Sequence, residues 1–175
     1  MILLPEIMTA QILNEFKAGG FINFINFSED RKSTAGPTFL IAYERELSNE
    51  FSTESQVYTG FNHCGETHDL RFVGFNVNAL YYPFNKINEL VGIGVGIYAD
   101  IRTDMCYLWP DYEGLYEHCY KRESTICPGL DFLARLNLCR SEKFRLGIAY
   151  TKKRPFRNSN DLGESSIGIL IGIGF

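Results

Sequence analysis

The last nine residues, Ile167 to Phe175, read IGILIGIGF, and they indicate the fold more clearly than any other part of the chain. Isoleucine occupies every odd position from 167 to 173, and three of the four even positions are glycine. A period of two is that of a β-strand, whose side chains alternate between the two faces of a sheet. The segment therefore predicts a strand with one continuous apolar face and one almost bare face.

Seven other segments show a related alternation. Residues 90–102 repeat the design with three glycines on one face, and a helix would lose about 1 kcal/mol at each internal glycine. A parity change between Phe72 and Val73 predicts a β-bulge near Val73. The first segment, 20–27, has a period near three and is the least regular. The predicted strands are 20–27, 39–46, 56–62, 70–81, 90–102, 130–139, 144–151 and 167–175.

The connections between these segments alternate in length. Short links at 48–50, 83–89 and 141–143 follow the second, fourth and sixth strands. Long polar links follow the odd-numbered strands, at 28–37, 63–69, 103–129 and 152–166. Such alternation predicts an all-β, up-and-down antiparallel meander of eight strands with all long links at one end.

The two faces of the predicted strands differ in charge. The apolar faces lack charge over their central parts and end in aromatic residues, as strands that cross a bilayer do. Hydrocarbon demands a closed sheet, and eight strands leave an interior that side chains can fill. The polar faces then point inward, and we expect a charge network inside the barrel from Glu44, Glu46, Asp100, Arg102, Asp131, Arg135 and Arg145.

Length and composition agree with one folded domain. The chain has 175 residues, 45% of them hydrophobic, and a formal net charge of −4, which gives no indication of a nucleic-acid surface. No run of about 18 apolar residues occurs, so a transmembrane helix is not expected. Residues 1–17 form an N-terminal segment, read either as a signal-peptide remnant cleaved near Ala10 or Gln11 or as an ordinary leading segment.

Over residues 18–175 the sequence resembles small bacterial outer-membrane β-barrels of the eight-stranded OmpA/OmpX type. The resemblance implies an integral outer-membrane location with extracellular long loops, surrounded by the lipid bilayer and lipopolysaccharide. It also implies a C-terminal signal for the barrel-assembly machinery, formed by Ile169, Ile171, Ile173 and Phe175. It implies no cofactor and no metal, and it leaves a structural role or surface recognition through the loops as the expected function.

Other functions remain open at this stage. A soluble lipocalin-like ligand-binding barrel would share the alternation. Some eight-stranded barrels modify lipid A, and His63 and His68 lie near Glu66 and Asp69, although no histidine–serine pairing typical of such enzymes occurs. A channel would need an open lumen, which the inward charges disfavour. The stretch VGIGVGIYAD at 91–100 lacks the spacing of a dinucleotide-binding loop.

The cysteines and aromatics of the long-loop end suggest an extracellular surface. Cys64, Cys106, Cys119 and Cys127 lie in or beside this end, and we expect disulfides Cys106–Cys127 and Cys64–Cys119, with free thiols as the alternative. Cys139 is expected on an inward face, and no ligand-like spacing joins the cysteines to histidines. The expected recognition surface, which could also pack as a lid, contains Tyr107, Trp109, Tyr112 and Tyr116.

Overall fold

A computed structural model describes residues 14–27, 33–48, 50–63, 68–83, 90–107, 120–140, 143–156 and 161–175. These residues form eight antiparallel strands that close into one barrel, so the predicted fold class is confirmed. The strands are β1 (Asn14–Phe27), β2 (Ser33–Glu46), β3 (Phe51–His63), β4 (His68–Tyr81), β5 (Val91–Tyr107), β6 (Tyr120–Arg140), β7 (Phe144–Pro155) and β8 (Asp161–Gly174). Within the described ranges, no helix is long and apolar enough to span a membrane.

Each strand pairs with its sequence neighbours, and β1 closes the barrel against β8. The pairing partners of Gly20 can be followed from strand to strand around the barrel in both directions. Through β2, β3, β4 and β5 they lead to Ile126 on β6, and through β8 and β7 they lead to Leu136 on the same strand. The register therefore closes with a stagger of ten residues. Stagger and strand number together set the tilt and width of a barrel, and eight tilted strands enclose a core of side chains.

The strands are longer than the alternation of apolar residues predicted. β1 begins at Asn14, four residues before the expected barrel boundary at 18. Its first residues alternate in polarity, with Glu15 and Lys17 buried and Phe16 exposed. The pattern was missed because it holds charged residues on the inner face. The long links shorten accordingly, because β2, β5, β6 and β8 all extend into segments predicted as loops.

The predicted bulge near Val73 is wrong. The β3–β4 and β4–β5 registers run without a break, and Leu70 and Phe72 are buried inside the barrel. The prediction assumed that apolar side chains face outward, but near the long loops the barrel interior contains apolar as well as charged side chains. A bulge does occur between Asn137 and Cys139. It changes the parity of β6, so Cys139 is exposed and does not lie on the inner face as expected.

The outer surface is an apolar belt. The isoleucines that would be packed together in a soluble core are exposed, with Ile93 at 51%, Ile97 at 60%, Ile169 at 56% and Ile171 at 47%. An uninterrupted exposed apolar surface of this extent is costly in water and favourable in hydrocarbon. The apolar faces therefore point outward into lipid, as the sequence predicted.

The β5–β6 hairpin extends beyond its neighbours at the long-loop end. Its pairing continues to Tyr107 and Tyr120, whereas β7 pairs with β6 only as far as Gly129. The last paired residue of β4 on this side, His68, is opposite Cys106. The part of β6 before Pro128 therefore pairs with β5 alone among the strands, and it projects past the end of β7.

Candidate functional site in the barrel interior

Most residues of the predicted charge network lie on the inner faces of the strands, inside the barrel. Glu44, Asp100, Arg102, Asp131, Arg135 and Arg145 are buried, and Glu46 is half-buried at the short-turn end. The structure divides these residues into a lower cluster near the short turns, an upper cluster towards the long loops, and a layer of amides between them.

The lower cluster joins opposite walls of the barrel through Arg135 on β6. Its guanidinium binds Glu54 on β3 at 2.7 Å and Glu44 on β2 at 2.7 Å. Lys17 on β1 contacts the same two carboxylates, at 3.1 Å for Glu54. Charge-assisted contacts of this geometry are strong because the partners are shielded from water. The four charges tie β1, β2, β3 and β6 together across the lumen.

The rim of the lower cluster extends the ion pairs to β7. Arg145 binds Glu15 at 3.0 Å and Glu46 at 3.1 Å. Tyr82, just beyond β4, donates a hydrogen bond to Glu44 at 2.8 Å. Burial and the nearby carboxylate of Glu44 raise the pKa of this phenol well above its usual value, so it remains a neutral donor.

The upper cluster has a different geometry. Arg102 binds Asp100 at 3.2 Å and Glu164 at 3.1 Å, and Lys153 binds Glu164 at 3.2 Å. The Lys153 ammonium also lies 3.5 Å from the ring centroid of Tyr58, a cation–π contact, and the Tyr58 hydroxyl donates to Asp100. The ionic contacts connect β5 to β7 and β8, with β6 between them in the sheet, and Tyr58 reaches the cluster from β3.

Between the clusters, Asp131 is held by amides. Asn76 and Asn78 on β4 donate to the same oxygen of Asp131, at 2.6 Å and 3.1 Å. Asn76 also donates to Gln56 on β3 at 3.0 Å. Side chains from β3, β4 and β6 therefore meet at mid-height and fill the lumen between the charged layers.

A glycine provides the space for one of these contacts. A Cβ on Gly74 would lie 2.3 Å from Asp100 and 2.4 Å from the Tyr58 ring. The hydrogen bond between Tyr58 and Asp100 therefore requires a residue without a side chain at position 74. The inward glycines leave room for large polar groups, and their positions are part of the interior design.

Five of the twelve charged residues in the interior were not predicted from the sequence. Four of them fall in the predicted N-terminal segment or a predicted long link, and one falls between a predicted turn and the next predicted strand, although their parity continues that of the adjacent strands. Extending the alternation past the last apolar residue would have found them. The missed residues are Glu15, Lys17, Glu54, Lys153 and Glu164.

The predicted disulfide between Cys106 and Cys127 is excluded by strand register. Cys106 pairs with Lys121, whereas Cys127 pairs with Asp100, six residues further along the hairpin. At about 3.3 Å per residue their Cα atoms are roughly 20 Å apart, and a disulfide allows at most about 7 Å. Cys64 and Cys119, the second expected pair, lie outside the described residues.

The predicted loop surface is largely outside the described residues. Trp109, Tyr112 and Tyr116 fall there, and Tyr107 is described only as the last backbone position of β5. Of the residues considered for lipid modification, His63 and Asp69 do meet, with Nδ1 and Oδ1 2.6 Å apart on exposed strand ends. No serine or threonine hydroxyl of the described part hydrogen-bonds that ring, and Glu66 lies outside it.

The C-terminal residues of the expected assembly signal lie on the outer face. Ile169, Ile171, Ile173 and Phe175 are all exposed along β8 and its end. The Phe175 ring stacks on Phe16, with centroids 5.4 Å apart. The aromatic terminus therefore packs at the seam where β8 closes the barrel against β1.

Comparison with solved structures identifies barrels of the same architecture. Neisserial surface protein A superimposes with a TM-score of 0.67 at 12% identity, over 93% of this chain and 97% of that one. The attachment invasion locus protein Ail of Yersinia pestis gives 0.63 at 13% identity, over 94% and 99%. The outer membrane protein OprG of Pseudomonas aeruginosa gives 0.57 at 11% identity, over 93% and 95%.

Neither a family model nor a curated protein sequence matches this chain. The likeness to these three structures therefore concerns the fold. Eight antiparallel strands, an apolar outer belt and a charged interior are all present in the chain. The chain has the architecture of an eight-stranded bacterial outer-membrane β-barrel, and its outer face fits the lipid environment of that location.

Proposed function

We propose that this protein is an outer-membrane anchor barrel whose extracellular side carries surface recognition. The observation that supports the anchor role is the ionic cluster around Arg135. It joins β6 to β2 and β3 across the lumen with contacts of 2.7 Å. A barrel tied together through its centre suits a rigid membrane scaffold better than a transport channel.

The filled interior argues against a diffusion pore. Two charged layers and the amides around Asp131 occupy successive heights inside the barrel. An ion crossing the lumen would have to displace buried pairs, which is costly because each partner would lose its counter-charge. We expect no steady current from the purified protein in planar bilayers.

The recognition role is proposed for the long-loop end. There the β5–β6 hairpin projects past β7 and presents exposed Thr125 and Ile126. It leads into the segment that contains Trp109, Tyr112 and Tyr116. Aromatic side chains on loops held by a rigid scaffold are frequent in binding surfaces.

The proposal is tested on intact cells that express the full chain. Protease added outside should cut between β5 and β6 and leave the barrel protected from further cleavage. Replacing Trp109 and Tyr112 together with serine should preserve heat-dependent gel mobility and reduce adhesion of the cells to host-cell surfaces. Unchanged adhesion in the double variant would contradict recognition by this loop, and cleavage at the short turns would contradict the orientation.

We also propose that Phe175 belongs to an assembly signal. It is exposed, follows three outward isoleucines, and closes the β1–β8 seam beside Phe16. Phe175→Ser should lower the fraction assembled in cells more than the fraction that refolds from urea into detergent. Equal losses in both assays would mean that Phe175 contributes packing alone.

A further inference from the structure

Two apolar hollows, with one aromatic ring between them, form a row across the outer face of the barrel from β8 to β5, and this row is called the furrow below. Its shape follows from the row of paired residues in which the large ring of Phe39 stands between Gly20 and Thr59. The two small neighbours leave a hollow on each side of the ring. One hollow, of about 700 Å³, lies over β3–β5, and the other, of about 290 Å³, lies over β8–β1; Phe39 borders both.

The floor and walls of the furrow are apolar over most of its length. The smaller hollow is lined by Ile22, Ile167 and Ile169, and no atom lies within 4 Å of the position a Cβ would take on Gly20. The larger hollow continues past Phe61 to Val73 and Ile101, both about half exposed. A chain of methylene groups would find mostly apolar contact between Gly20 and Ile101, with Thr59 as the polar residue of that row.

The end nearest the long loops is polar. Arg71 lies one outward position above Val73 on β4, beside Phe61 and Thr103 on the neighbouring strands. Its side chain is exposed and forms no ion pair with any described residue. The one carboxylate that also lines the hollow, Asp69, is engaged by the His63 ring at 2.6 Å. A guanidinium that has no ionic partner among the described residues therefore stands where the apolar furrow ends.

We propose that this furrow binds one phosphate-bearing lipid of the outer leaflet. The phosphate contacts Arg71, whose planar group suits phosphate oxygens, and one acyl chain runs beside Phe39 towards Gly20. The inference rests on the proposed membrane location and names a specific lipid contact within it. A flat apolar belt would hold lipids only as solvent, whereas here two hollows and a cation of suitable charge lie in one row.

The outer face offers a control for charge alone. Arg154 on β7 is also an exposed outward cation, and its strand neighbours include the apolar Leu130. It is not among the residues that line either hollow. Bulk attraction between cations and anionic lipid would involve Arg154 as much as Arg71, whereas a built site would involve Arg71 alone.

The test is native mass spectrometry of the purified barrel in detergent, titrated with bisphosphorylated hexa-acyl lipid A. We expect Arg71→Gln to weaken the one-lipid complex about tenfold, since one charge-assisted contact is lost, and Arg71→Lys to restore part of it. Gly20→Leu should weaken it by filling the furrow without changing charge. Arg154→Gln should bind as the parent does, and all variants should keep heat-dependent gel mobility.

Two probes separate the parts of the site. Lipid A stripped of phosphate should lose the preference for Arg71 while remaining sensitive to Gly20→Leu, and inorganic phosphate alone should not compete. Equal binding by the parent and Arg71→Gln, or equal losses in Arg71→Gln and Arg154→Gln, would overturn the proposal. Neither result would affect surface recognition, which is measured on cells through the loop variants.

Discussion

The inner and outer faces of this barrel are built from alternate residues of the same strands. The inner face carries the charged side chains, and the outer face carries mostly apolar ones. On β5, Asp100 is completely buried while Ile97 and Ile101 are more than half exposed. On β6, Asp131 and Arg135 are buried while Leu130 and Phe132 face outward. At these positions the charged side chains are buried and the apolar side chains are exposed, which reverses the pattern of a soluble domain.

The comparison teaches where the free energy of folding is sensitive. Inside, a charge is stable only with its partners, because removing one leaves the other desolvated and unpaired. Outside, the surroundings are hydrocarbon, which favours apolar side chains and cannot solvate a charge. The same chemical substitution should therefore cost different amounts of free energy on the two faces.

The largest effect is expected from Arg135→Met. Glu44 and Glu54 would each lose a contact of 2.7 Å while remaining buried. Loss of one partner from such a cluster costs about 3–5 kcal/mol. The free energy of unfolding is measured by urea titration in phospholipid vesicles, with circular dichroism following the β-sheet signal.

Arg154→Met is the matched control for that measurement. It removes the same group from an exposed outward position beside the end of β7, where a cation costs about 0–1 kcal/mol, so its effect should stay within about 1 kcal/mol. A loss below about 1 kcal/mol in Arg135→Met would show that Lys17 and solvent compensate the two carboxylates. The interior cluster would then not be the element that holds the walls together.

The second largest effect is expected from a charge introduced on the outer face. Ile97 lies midway along the outward apolar residues of β5, so Ile97→Arg should cost about 2–4 kcal/mol in vesicles. Ile126 lies where β6 projects past β7, so Ile126→Arg should cost about 0–1 kcal/mol. The measurement is the same urea titration. Equal, small costs at both sites would mean that water surrounds the belt, contrary to a membrane barrel.

Most of the architecture could be predicted because alternation is a local signal. Each strand centre has apolar residues on its outer face, so strand number, order and orientation follow from periods of two and link lengths. The ends of the strands could not be placed this way. Asn14–Lys17 and Asp161–Ser166 carry few apolar residues, and their pairing is imposed by the neighbouring strands.

The sequence predicted that charged residues line the interior, but it did not predict all of them or their contacts. Parity alone placed Asp100, Arg102 and Asp131 on the inner face, but it cannot say which charges meet across the lumen. Arg135 and Glu54 are 81 positions apart, and their contact depends on barrel closure and stagger. The Cys139 prediction failed for a related reason, because one extra residue in β6 reverses parity beyond the bulge.

The smallest of the three effects concerns glycines on opposite faces. A Cβ on inward Gly96 would lie 2.0 Å from the Val77 carbonyl oxygen and 2.8 Å from the Asn78 Cα, and backbone cannot move aside as a side-chain tip can. Gly96→Ala should therefore cost about 1–3 kcal/mol in the urea titration. Gly20→Ala, on the outer face with open space around it, should cost at most about 0.5 kcal/mol. If the two alanine substitutions cost the same free energy of unfolding, the inner glycines would not be needed for packing. Tight packing would then not distinguish the lumen from the outer face.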